Sequence, residues 1–81
     1  MNIEQTLHDY IVQERFIGRA PEDFDNDFDL IDSGVVDSLA MLNLITYLEE
    51  HYQIEFGGND IVPEHFASVN ALSEFVRGKL A

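Results

Sequence analysis

The loop-to-helix junction Leu30-Ile31-Asp32-Ser33-Gly34-Val35-Val36-Asp37-Ser38-Leu39 delivers a serine to the start of an apolar-periodic segment. A hydroxyl there is accessible and lies near backbone N–H groups that no helical carbonyl satisfies. Taken alone, Asp37-Ser38 is a capping pair. Self-contained hydrolysis by Ser38 is not expected, because a nucleophile elbow needs glycines where Val36 and Ala40 stand. Asp25, Asp27 and Asp29 fall at positions 1, 3 and 5 of an EF-hand loop, but position 6 is Leu30 rather than Gly and position 12 is Val36 rather than Glu. His8, His51 and His65 have no metal-ligand spacing and read as surface or rim histidines. With no cysteine in the chain, any thiol chemistry must be imported. No catalytic residue and no metal site follow from these residues.

Three periodic segments must position that serine. Ile3, Leu7, Tyr10, Ile11 and Phe16 keep helical spacing and predict helix one over about Asn2 to Ile17, stopped by Gly18 and Pro21. Residues 18 to 37 hold seven acids and one base, Arg19, and predict a long loop. Loops of this length in a small domain are uncommon and usually functional. Phe24, Phe28, Leu30, Ile31 and Val35 should pin this one to the core. Asp37 then caps helix two, about Ser38 to Tyr52, with Met41, Leu44, Ile45, Leu48 and Tyr52 on one stripe. Leu39 and Tyr47 lie off that stripe and should face solvent or a partner. Gly57, Gly58 and Asn59 break the chain, Pro63 opens a short helical turn through Phe66, and Ser68 caps a last helix with Val69, Leu72, Phe75 and Val76. The expected fold is all-α, with four helical pieces of which the third is short. The expected core is Leu7, Ile11, Leu30, Met41, Leu44, Ile45, Leu48, Ile54, Val69, Leu72 and Val76, with Met41 near the mouth of any cargo pocket.

Sixteen acids against four bases give a formal charge of −12, and 81 residues allow one core. The apolar share of 46% is enough to build it, so disorder is not expected. The charge repels nucleic acid and anionic lipid and favours basic protein surfaces. The start lacks the Lys or Arg of a signal peptide, and no apolar run approaches a membrane span of about 20 residues. A cytoplasmic protein is expected.

The pattern Asp29, Asp32, Ser33, Gly34, Asp37, Ser38, Leu39 closely resembles the phosphopantetheine attachment motif of acyl carrier proteins and peptidyl carrier domains. Helix one, the acidic loop, the Leu48-Glu49-Glu50-His51-Tyr52 end of helix two and the last helix from Val69 follow the same family. The resemblance implies a single carrier domain over 1–81, not itself an enzyme. It also implies 4′-phosphopantetheine, taken from coenzyme A, on Ser38, with Asp37 supporting the modification. Its implied partners are a phosphopantetheinyl transferase, a loading enzyme (an adenylating enzyme or acyltransferase) and downstream synthase or tailoring enzymes, visited as a monomer. A phosphodiester on Ser38 would be favoured by the helix dipole by a few tenths to about 1 kcal/mol.

This chain departs from fatty-acid carriers after the serine, where Ala40, Met41, Leu42 and Asn43 stand in place of further acids. The segment Asp60 to Val69 resembles that of free-standing carriers in specialised pathways, which hold amino acids, hydroxy acids or short acyl units. Leu39, Tyr47 and Glu49 are the expected partner contacts. Two readings from other classes share the same charge: an acidic interaction module and a calcium-binding protein, both without the prosthetic group.

Overall fold

The computed structural model describes residues 2–81. Three α-helices, α1 (Ile3–Phe16), α2 (Ser38–Tyr52) and α3 (Val69–Leu80), carry the fold, and no strand occurs among the described residues. Each helix starts on a side-chain cap that its sequence supplies. Asn2 Oδ1 accepts from the Gln5 N–H at 2.9 Å, Asp37 Oδ1 from the Ala40 N–H at 2.8 Å, and Ser68 Oγ from the Ala71 N–H at 3.0 Å. The first helix is thus one residue shorter at each end than its periodicity suggests, because Asn2 and Ile17 serve as its caps. Ile17 takes the left-handed conformation at φ 53°, a strained place for a β-branched residue, and Gly18 follows at φ 80°.

The expected count of four helices is corrected by the segment between α2 and α3. The short helical turn expected from Pro63 through Phe66 is there as a 3₁₀ piece, not an α-helix, and a second 3₁₀ piece, Gly58–Asp60, precedes it. Gly57 and Gly58 disfavour an α-helix, and the Asp60 carboxylate closes the first piece by accepting from the Gly57 N–H at 2.8 Å.

Of the expected core, Leu7, Ile11, Leu30, Leu44, Ile45, Leu48, Ile54, Val69, Leu72 and Val76 are buried. Met41 is a correction: it is only half-buried, packed against the edge of the core. Its place at the start of α2 is taken by the neighbouring Ala40, which is buried together with Val36. Ile3, Phe24, Tyr52, Phe66 and Ser73 are buried as well. The long acidic loop is held from inside by Phe24, Leu30 and Val36. It is held from α3's side by backbone bonds from Leu30 N–H to Ala67 O (2.8 Å) and from Asn70 N–H to Asn26 O (2.9 Å). The path from Leu30 to Ser38 is therefore fixed at both ends.

Two ion pairs tie α3 to the rest. Arg77 donates to both Glu4 oxygens at 2.6 Å, and Lys79 Nζ lies 2.8 Å from Asp60 Oδ2. The Arg77 hydrogen bonds hold the Glu4 carboxyl at about 2, against an ordinary 4.5. A carboxyl with a depressed folded value contributes stability above its unfolded value and loses that contribution as pH falls through the folded one. Glu4→Gln should therefore weaken the fold at pH 7 by up to about 1 kcal/mol, as for a part-exposed pair. Urea denaturation should show the gap to the wild type narrowing as pH drops from 4.5 toward 2. A gap of constant size across that window would assign Glu4 a packing role instead.

Candidate functional site

Ser38 is the first residue of α2 and is exposed, with Asp37 before it and Leu39 after it also exposed. Asp37 is spent on the cap through Oδ1, while its Oδ2 lies 3.9 Å from Arg15 Nη2. Arg15, from the last turn of α1, donates through Nε to the Val35 carbonyl at 2.7 Å. Val35 and Val36 are thus clamped: Val36 N–H reaches back to Leu30 O at 2.8 Å, and the Val35 carbonyl is held by Arg15. Gly34, at φ 83°, makes the bend that allows this return. The clamp presents Ser38 Oγ to solvent on a helix start whose first N–H groups and dipole favour an anion. That is what a phosphodiester on this oxygen requires, and the residues present fit it.

Sequence reasoning found Ser38, Asp37 and Leu39, which the fold brings together. It missed Arg15, because nothing in the spacing of a base at the end of helix one links it to a loop twenty residues on. Within the acid-free first turns of helix two, Leu42 is 60% exposed one turn beyond Leu39 at 68%. The two leucines form an apolar pair at (i, i+3) beside the serine.

Tyr47 and Glu49 lie about 13–17 Å further along the helix axis at 1.5 Å per residue. Both differ from the expectation of free side chains. Tyr47 is half-buried and stacks on Tyr10 of α1 with ring centroids 4.1 Å apart. Burial pushes both phenols above their ordinary value. Glu49 accepts from the Phe56 N–H at 2.9 Å and so pins the chain after α2.

A cavity of about 40 Å³ opens between α1 and α2, lined by Tyr10, Ile11, Glu14, Arg15, Val36, Ala40, Asn43 and Leu44. Met41, expected at the mouth of a cargo pocket, is not among them; the offset of about 100° between successive helical residues places it to one side of Ala40. At about 10–15 Å³ for each water on this measure, the cavity has room for a few waters.

The carboxylates of the loop serve the backbone. Asp25 Oδ1 accepts from the Asp27 N–H, Asp29 Oδ1 from the N–H groups of Ile31 and Asp32, and Asp27 Oδ1 from Asn70 Nδ2. Among the described residues, no three His, Asp or Glu side chains come together to hold a metal ion. His8 pairs with Asn26, and His65 with the Asp60 carbonyl. No helix among the described residues is long and apolar enough to cross a membrane.

The helical frame exposes Ser38 at a capped helix start, and comparison identifies the class. Residues 11–76 match the family of phosphopantetheine attachment sites. The chain is similar to the apo peptidyl carrier KstB-PCP, with 35% identity, TM-score 0.75, and coverage of 94% of this chain and 84% of that one. It is also similar to a chain from the crystal structure of an FAD-dependent dehydrogenase, with 28% identity, TM-score 0.77, and coverage of 86% of this chain and 97% of that one. A search of curated proteins finds no match.

The chain belongs to the phosphopantetheine-binding carrier family. It is a carrier with covalently attached 4′-phosphopantetheine, not itself an enzyme. Carrier domains of this kind interact with phosphopantetheinyl transferases and synthetase partners.

Proposed function

We propose that Ser38 bears the arm, that Asp37 supports its attachment, and that the chain hands thioester-bound units between separate enzymes of a specialised pathway, polyketide, nonribosomal peptide or related. The observation that carries this reading is the exposed Ser38 at the start of α2, with the apolar pair Leu39 and Leu42 beside it. The arm supplies a terminal thiol, which this cysteine-free chain lacks. The small cavity between α1 and α2 supports open presentation of cargo, so amino acids, hydroxy acids or short acyl units suit it better than long chains. Loading by an adenylating enzyme or acyltransferase precedes transfer to synthase or tailoring enzymes. The likeness to a chain from an FAD-dependent dehydrogenase structure supports a flavin enzyme among the tailoring partners.

Recognition at the helix start should depend on apolar contact more than on charge. The first turns of α2 carry no acid after Asp37, and a desolvated apolar contact governs how long a complex lasts while charge governs encounter. Leu39→Ala should cost about 1–2 kcal/mol of binding to the loading enzyme. Glu49→Gln keeps an oxygen to accept from Phe56 and should cost only about 0–1 kcal/mol. Steady-state kinetics of thioester loading at low and physiological salt measure both. A larger loss for Glu49→Gln at physiological salt would contradict apolar recognition, and a modified protein that no enzyme of either class charges would contradict the carrier proposal.

A further inference from the structure

We propose that Arg15 is the counter-cation of the arm's phosphate, latching the loop beside Ser38 before modification and pairing with the phosphodiester afterwards. The proposal rests on Ser38 bearing the arm. Arg15 uses one of its five N–H groups, on Nε, to hold the Val35 carbonyl at 2.7 Å. The rest of its guanidinium is weakly engaged. The nearest carboxylate oxygen, Asp37 Oδ2, lies at 3.9 Å, beyond hydrogen-bond range, and the side chain is 38% exposed.

Asp37 directly precedes Ser38, and a guanidinium 3.9 Å from the Asp37 carboxylate can swing on its flexible stem toward an anion on Ser38. Attachment adds a negative charge beside Asp37 in a chain already at −12, and this repulsion needs a nearby cation. Of the remaining bases, Arg77 gives two N–H groups to Glu4 and Lys79 is committed to Asp60. Among the described residues Arg15, and not Arg19, makes the side-chain contacts to the segment that leads into Ser38. A planar guanidinium also matches phosphate geometry with two parallel donors, which leaves Nε free to keep its grip on Val35. Arg15 can therefore serve both the loop and the phosphate without releasing the clamp.

The test compares unmodified and phosphopantetheinylated protein, each as wild type and as Arg15→Gln, by urea denaturation. Loss of the Val35 bond weakens both forms of the variant equally, so the difference of differences isolates the phosphate contact. Attachment should be roughly 3- to 10-fold less favourable to the folded state in Arg15→Gln than in the wild type, the range of an exposed charge-assisted contact. A coupling below twofold would overturn the proposal. A second measurement needs no variant: the Arg15 Nε–H resonance of the wild type should shift when the arm is attached, and an unmoved resonance would overturn the proposal equally. Intact mass separates the two levels of inference. Protein that gains the arm but shows no coupling refutes the role of Arg15 alone, whereas protein that cannot gain the arm refutes the attachment at Ser38 as well.

Discussion

Phe66→Ala should remove about 3–5 kcal/mol of stability, the range for truncating a buried Phe. A domain of this length has only about 4–12 kcal/mol in total, at 0.05–0.15 kcal/mol per residue. At the lower end of that range the substitution leaves a chain near its unfolding midpoint at moderate temperature. Phe66 is fully buried at the end of the Pro63–Phe66 turn, near Phe56, whose ring centroid is 6.1 Å away. The neighbouring Ala67 carbonyl receives the Leu30 N–H, so a cavity at Phe66 lies one residue from the bond that fixes the acidic loop. Urea denaturation followed by circular dichroism measures the loss. A loss below about 1 kcal/mol, typical of an exposed site, would mean that the turn packs less closely than the structure has it.

Phe66 also shows where sequence reasoning ends. The stripes of α1, α2 and α3 were legible because apolar residues three and four apart must share a face, and Asp37 and Ser68 were legible as caps because their oxygens match the first N–H groups. A four-residue 3₁₀ turn has no room for a period, so the burial of Phe66 is not legible from pattern. Met41 and Ala40 were exchanged for a related reason: a stripe gives the direction of a face but not which edge residue is covered, and here the smaller side chain fits beneath the loop at Val36.

The functional site divides in the same way. Ser38, Asp37 and Leu39 are adjacent in sequence and were readable from the loop motif. Arg15 acts across a loop that closes only in three dimensions, and the contacts that occupy Tyr47 and Glu49 come from α1 and from the chain after α2. A helical wheel contains none of these neighbours.

Replacing Ser38 with Ala should abolish modification entirely while leaving the fold intact. The attachment chemistry needs the hydroxyl oxygen, which Ala lacks, whereas the helix start is secured by Asp37 Oδ1 on the Ala40 N–H and does not depend on Ser38. Ser38 is exposed and alanine is a good helix former, so stability should change by less than about 0.5 kcal/mol. Ser33 provides the natural control five residues away: its Oγ is used within the loop, donating to the Leu30 carbonyl at 3.4 Å and accepting from the Val35 N–H at 3.3 Å. The direct measurement is intact-protein and peptide mass spectrometry after incubation with coenzyme A and a phosphopantetheinyl transferase. The wild type should gain one phosphopantetheine, located on Ser38, and Ser38→Ala should gain none; a modified Ser38→Ala protein, or a wild type carrying the arm on Ser33 or Ser68, would contradict the account.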